Sequence, residues 1–183
     1  KIVVCIKQVP DTTEVKLDPK TGTLIRDGIP SIINPDDKGG LEYALQLKEQ
    51  YGAEVTVITM GPPQAEAILR EAFAMGADRA ILLTSRKFAG ADTLATSNAL
   101  AGALKVLDFD LVLAGRQAID GDTAQVGPQV AEKLNIPQVT YAEEVLEITE
   151  KSVVVKRRLE RGVETVESTL PALVTVHATA AAC

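Results

Sequence analysis

The chain has 183 residues, 46% of them apolar and 3% aromatic, and its 19 basic against 25 acidic side chains leave a net charge of −6, enough apolar content for one core and one domain over residues 1–183. No basic stripe is present to neutralise phosphates, and no apolar run reaches the length of a membrane span, which argues against nucleic acid and against a membrane-spanning segment. Two cysteines, Cys5 and Cys183, give neither a disulfide framework nor metal-ligand spacing, and with no signal-peptide layout at the start the expected compartment is the cytoplasm.

Ile2 to Ile6 is a short apolar run and reads as a buried strand. Val15–Leu17 and Thr23–Ile25 flank a Pro/Gly-containing turn and predict a β-hairpin inserted before the first helix. That helix starts at Pro35 behind an Asn34 cap and runs to Tyr51, with Leu41, Tyr43, Ala44, Leu45 and Leu47 at helical spacing. Val55–Thr59 is the second strand, and Met60-Gly61-Pro62-Pro63 leads into a helix that Gly76 closes after Met75. Arg79–Leu83 is the third strand. Ala91–Leu107, capped by Asp92, is the third long helix. A further strand, Asp110–Ala114, stops at Gly115, and a helix from Thr123 to Leu134 follows. Beyond Pro137 the pattern changes to Val145–Ile148, Val153–Val155, Val163–Ser168 and Ala172–Val176, extended segments that predict an antiparallel appendage. The fold class expected is α/β: a doubly wound, Rossmann-like parallel sheet with that appendage at its end.

In such a sheet, ligands bind beyond the carboxyl ends of the strands, where helix N-termini offer unpaired N–H groups. Four segments should converge there: Lys7–Pro10, Asn34–Asp37, Met60–Pro63 and Gly115–Gly127. Gly61 permits close backbone approach. The last loop, with its Gly, Asp, Thr and Gln side chains, suits a ribose and a phosphate. Two ionised carboxylates would repel a phosphate, so Asp120 and Asp122 are assigned to ribose hydroxyls or loop N–H groups. Thr123, Gln125 and the amides of Gly121 to Gly127 are the better phosphate donors. A helix cap in a polar turn is the competing reading of the same loop. No nucleophile or acid–base pair stands out, so no catalytic residue is expected, and the only histidine, His177, is not expected to be catalytic.

The wording "GRQAIDGDTAQVG" at 115–127 resembles the adenine-nucleotide loop of the electron transfer flavoprotein beta subunit. "VVCIKQVPD", "RDGIPSIINPDDKGGLEYALQLKE", the 57–66 stretch "VITMGPPQAE" and "AFAMGAD" at 72–78 resemble the same family. So does "VKRRLERGVETVESTLPALVTV", with Arg157, Gly162, Glu164 and Pro171 in matching places. The resemblance implicates Cys5, Asn34, Pro35, Asp36, Asp37, Met60, and the run Gly115, Arg116, Gln117, Ala118, Ile119, Asp120, Gly121, Asp122, Thr123, Ala124, Gln125 and Val126 in cofactor binding. Cys5 would be a small apolar floor under the adenine.

"GADTLATS" at 90–97 resembles the electron-bifurcating group of that family. There the site holds FAD, whereas the ordinary group binds AMP. Asp92 and Thr93, Thr96 and Ser97 stand at a helix entrance, where hydroxyls and first-turn amides can receive a pyrophosphate; a capped helix with a polar face is the alternative. The resemblance implies that FAD accepts a hydride from NADH, that one electron passes to a ferredoxin or flavodoxin, and that the other passes through an FAD on the alpha subunit to a dehydrogenase of lactate or acyl-CoA type. Neither a GxGxxG nor another NAD fingerprint occurs. A non-redox nucleotide-binding module similar to the universal stress proteins, and an ATP-pyrophosphatase on a similar sheet, are the alternatives from other classes. The latter would need a Ser/Gly-rich loop after the first strand, where Lys7-Gln8-Val9-Pro10 stands. The family pattern implies a further C-terminal arm that embraces the alpha subunit, and Glu164 is expected to make a charged contact with that partner.

Overall fold

The structure, a computed structural model, describes residues 1–10, 16–17, 24–25, 31–84, 93–115 and 126–176. In chain order these form β1 (Ile2–Cys5), β2 (Gln8–Pro10), β3 (Lys16–Leu17), β4 (Leu24–Ile25), β5 (Ser31–Ile33) and α1 (Pro35–Tyr51). Next come β6 (Val55–Met60), a 3-10 turn (Pro63–Ala65) opening α2 (Glu66–Met75), β7 (Arg79–Leu83), α3 (Thr93–Lys105), β8 (Leu111–Gly115) and α4 (Val126–Leu134). The chain then runs through β9 (Gln138–Ile148), β10 (Ser152–Leu159), β11 (Gly162–Thr169) and β12 (Ala172–Val176). The expected Asp92 cap and the Thr123–Gln125 start of the fourth helix lie outside the described residues.

One eight-stranded sheet carries the fold, in the order β11-β10-β9-β12-β8-β1-β6-β7. Pairing from β9 through β12, β8, β1 and β6 to β7 is parallel, and β10 and β11 add antiparallel strands to one side. Helices cover both faces, as the alternation of strands and helices requires. Leu41, Ala44 and Leu47 of α1 and Ile68, Leu69 and Ala72 of α2 enter one core with Val4, Val57, Leu113 and Val174. Leu100 and Leu104 of α3 and Val130 and Ala131 of α4 enter the other with Val3, Ile58, Val112 and Leu173. The alternation of partners along each strand is the two-faced burial expected of a parallel sheet.

The final strand departs from the sequence reading. Ala172–Val176 was expected to extend the antiparallel appendage, but β12 inserts between β8 and β9 and runs parallel to both. All five of its residues are buried, which suits an interior strand covered on both faces better than a half-solvated ribbon. Its neighbour β9 begins at Gln138, earlier than the predicted Val145, and pairs first with β12 and later with β10. Tyr141, with φ of 59°, lies where the pairing changes. Buried Tyr43 pins α1 to this strand: its hydroxyl donates to Val145 O at 3.3 Å and accepts the Val145 N–H.

Of the predicted hairpin, Lys16–Leu17 and Leu24–Ile25 are described and pair antiparallel as β3 and β4, while Val15, Thr23 and the turn between them lie outside the described residues. Gln8–Pro10, just after β1, pairs antiparallel with Ser31–Ile33, just before α1.

Candidate functional site

Three strands are buried along their length and open only at the last residue. β1 is buried from Ile2 to Val4 and mostly buried at Cys5; β6 is buried to Thr59 and opens at Met60; β8 is buried to Ala114 and opens at Gly115. Because β1 pairs with β6 on one side and β8 on the other, the chain reverses its direction of winding beside β1. The crevice between the ends of β1 and β8 is the topological switch point, where a parallel sheet offers room to a ligand.

The surrounding segments are tied to each other at this edge. Asn34 N donates to Lys7 O at 2.8 Å, bringing the start of α1 to the end of β1. Gln8 Nε2 donates to Gln64 O at 3.3 Å, and Gly61 N to Leu83 O at 3.0 Å. Gly115 N donates to Asp37 Oδ1 at 3.1 Å. The structure thus gathers Cys5, Asn34, Pro35, Asp36, Asp37, Met60, Gly61 and Gly115 at one edge. Asp92 and Arg116 to Gln125 lie outside the described residues; Val126 is placed as the first residue of α4.

Asn34 makes no side-chain cap bond; its backbone carbonyl accepts the Lys38 N–H at 2.8 Å, and its side chain hydrogen-bonds the Asp37 carboxyl instead. Asp37 is buried, while Asp36 is partly exposed. Burial, together with the charge of Asp36, pushes the Asp37 carboxyl up to about 7, against the opposing effect of hydrogen bonds from Asn34, Gly115 and Lys7. The Cys5 thiol is pushed to about 12, first by burial and then by the neighbouring Asp37. It stays protonated at neutral pH, as a small apolar floor requires and a nucleophile does not.

Gly115 is a glycine for a steric reason. A Cβ there would collide with Asp37 Oδ1 and lie 2.8 Å from Asp37 N and 2.9 Å from Asp36 C, so the close approach of α1 to the end of β8 depends on its absence. Gly127 is also a packing residue: a Cβ on it would meet Thr175 Cγ2 at 3.1 Å, where α4 crosses β12.

The entrance of α3 lies at the same edge of the sheet. The helix runs back toward the amino edge, where Asp110 N donates to Lys1 O at 2.8 Å. Thr93 is its first residue and Thr96 is half-buried. Ser97 is buried, and its hydroxyl donates to Gln129 Oε1 of α4 at 2.8 Å. The Asp37–Gly115 and Ser97–Gln129 contacts were not legible beforehand. The resemblance implicated Asp36 and Asp37 alike in cofactor binding, and nothing in their adjacent positions told them apart.

On the antiparallel side, Arg157 is fixed by its backbone neighbours. Its Nε donates to Thr140 O at 2.7 Å and Nη2 to Thr140 Oγ1 at 3.1 Å, and Nη1 stands 3.6 Å from Glu164 Oε1. Arg157 and Glu164 are cross-strand partners, and the Glu164 side chain is 48% exposed.

A family model described as "Electron transfer flavoprotein domain" matches residues 21–183. The chain belongs to the electron transfer flavoprotein family. It is 63% identical over 174 residues to the electron transfer flavoprotein subunit beta of Clostridium acetobutylicum, covering 95% of this chain and 67% of that protein. Over 177 residues it is 60% identical to the caffeyl-CoA reductase–Etf complex subunit CarD of Acetobacterium woodii, covering 96% and 67%. Protein FixA of Azorhizobium caulinodans is 51% identical over 182 residues, with 96% and 65% covered. The chain spans about two thirds of the length of these relatives. The family read from the sequence motifs is borne out, and with it a role in electron transport as part of a beta subunit. Among the described residues no helix is long and apolar enough to cross a membrane.

Proposed function

We propose that this chain is the nucleotide-holding part of an electron-bifurcating electron transfer flavoprotein beta subunit, with FAD in the crevice beside β1. The observation that carries the reading is the opening of otherwise buried strands at Cys5, Met60 and Gly115, around the switch point. The residues fit an adenine nucleotide. Cys5 offers a neutral, apolar floor, and Asp36 in the first turn of α1 can accept from a ribose hydroxyl. Because Asp36 would repel a phosphate there, the pyrophosphate belongs at the entrances of α3 and α4, where Thr93, Thr96 and the Gly121–Gly127 amides are the donors. Asp120, Asp122, Thr123 and Gln125 keep the roles expected from the sequence. When bound, FAD supplies the hydride and single-electron chemistry; the chain orients it and limits its access to water.

The donor and acceptors follow the same reading: NADH, reaching an open face of the cofactor with help from the partner chain; a ferredoxin or flavodoxin; and a flavin-dependent dehydrogenase of lactate or acyl-CoA type. The alpha subunit is the permanent partner. β11 pairs with β10 alone in the sheet, and such an edge invites coverage. Glu164, exposed and lightly held by Arg157, is placed to pair with a cation of the alpha subunit. The cytoplasm is the compartment proposed.

A second reading, the ordinary group expected as the alternative from the sequence, has AMP alone in the site. Acid extraction of the purified alpha–beta complex decides between them. Two FAD per heterodimer, with NADH oxidation, supports bifurcation; one FAD and one AMP places the chain in the ordinary group, and no nucleotide refutes both.

A further inference from the structure

The carboxylate of Asp37 is held by three donors from three different walls of the crevice. The backbone N–H of Lys7 follows the end of β1, that of Gly115 lies 3.1 Å away at the end of β8, and the Asn34 side chain belongs to the turn into α1. Asn34 is itself anchored to Lys7 by a backbone bond of 2.8 Å. Lys7 and Gly115 are more than a hundred residues apart in sequence, and β1 and β8 register Cys5, the last residue of β1, with Ala114, one residue before β8 ends. The contact is tight as well as polar, since the missing Cβ of Gly115 leaves the space that Asp37 occupies.

We propose that Asp37 is a positioning residue of the nucleotide site: by accepting the N–H groups of Lys7 and Gly115 together, its carboxylate ties the start of α1 to the ends of β1 and β8 and holds Gly115 in place at the crevice. The inference rests on the nucleotide reading above and gives one acidic residue of the site a role other than ligand contact. A carboxylate with its oxygens engaged inward by N–H donors is poorly disposed to accept from a ribose. Its partly exposed neighbour Asp36 remains available for that.

Ionisation is then coupled to grip, because a protonated carboxyl is a weaker acceptor for the two N–H groups than a carboxylate. The groups facing Asp37 are Asp36 on its own helix, and the Cys5 thiol and the Lys7 segment from β1. β8 contributes no titratable side chain from Leu111 to Gly115, and Arg116, Asp120 and Asp122 follow it in sequence, outside the described residues. With its proton affinity raised to near neutrality, Asp37 changes state in the range where retention is readily measured. The nucleotide should be held more firmly at pH 8 than at pH 6, and its uptake at pH 6 should release protons.

The test uses the full-length subunit in its alpha complex, stripped and reloaded with AMP or FAD. Dissociation is followed from pH 5.5 to 8.5, and proton release is read by calorimetry in buffers of different ionisation enthalpy. Expected is a wild-type release rate rising about tenfold toward acid pH, the equivalent of one charge-assisted hydrogen bond. Asp37→Asn should release nucleotide at the acid-limit rate throughout, with no pH dependence and no proton release linked to this group. A flat wild-type profile overturns the inference without recourse to any variant. So does an Asp37→Asn variant that matches wild type at every pH. Tighter binding in Asp37→Asn also overturns it, because that result means the carboxylate faces a phosphate. A wild-type complex that takes up neither nucleotide overturns the nucleotide reading itself, and this inference with it.

Discussion

Replacing Asp37 by Asn should stabilise the fold in a pH-dependent way, even though the residue sits in the proposed site. Asp37 is 8% exposed and its carboxyl is raised from 3.8 to about 7, chiefly by burial. A folded state that binds a proton more tightly than the unfolded chain loses stability as pH climbs between the two values. The contribution of this group is therefore most favourable near pH 4 and below, falls through the window from 3.8 to about 7, and levels off above it. Full ionisation costs the fold about 4 kcal/mol, of which about 2–3 kcal/mol is lost between pH 5 and pH 8. The amide that replaces the carboxyl in Asp37→Asn does not titrate and carries no such cost. Its loss of one acceptor oxygen is a fixed offset at all pH values. The melting temperature of the variant minus that of wild type should thus rise by about 5–10 °C from pH 5 to pH 8, at about 2–4 °C per kcal/mol for a domain of this size. Thermal unfolding of the nucleotide-free complex by circular dichroism at three pH values measures it. Parallel pH profiles for the two proteins would refute the claim that Asp37 is ionised at a cost. Stability and nucleotide retention should move in opposite directions with pH, which a purely structural carboxylate does not predict.

Gly115→Ala should force α1 away from β8, lowering stability by about 1–3 kcal/mol in urea titrations and speeding nucleotide release; unaltered values for both would show that the close approach is unimportant. Tyr43→Phe leaves the buried Val145 N–H and carbonyl without their side-chain partner and should cost about 1–3 kcal/mol, with cofactor content unchanged in the assembled complex. Lys48 Nζ and the Val55 N–H hold Asp78 below the usual carboxylate range, so its stabilising effect is present at neutral pH, begins to fade near the ordinary value of 3.8 and is lost as pH falls through the lowered value beneath it. Asp78→Asn should therefore be less stable than wild type at pH 7, by about 1 kcal/mol for so exposed a pair, and converge with it only in acid below 3.8. Glu164→Gln should slow electron delivery to the dehydrogenase more than dye-linked NADH oxidation; equal loss of both would remove Glu164 from partner contact.

The alternation of apolar runs with helical spacing was enough to specify a doubly wound sheet, because burial on both faces forces strands such as Leu111–Gly115 to be continuously apolar and helices such as Pro35–Tyr51 to carry one apolar stripe. The motifs were enough to identify a family, and the nucleotide expected from the loop wording at Gly115–Gly127 is carried here as a proposal. These are local properties, written in consecutive residues. Which strand lies beside which is not local. The last segment, Ala172–Val176, has the same extended character whether it ends a ribbon or enters the core; the empty place between β8 and β9 decided it, by burying all five of its residues. The same holds for the carboxylates at 36 and 37. Adjacent in sequence and chemically identical, they differ because the helix presents one toward solvent and drives the other into the gap that Gly115 leaves open. Only packing between segments distant along the chain could set those environments apart, and with them the proton affinity of Asp37.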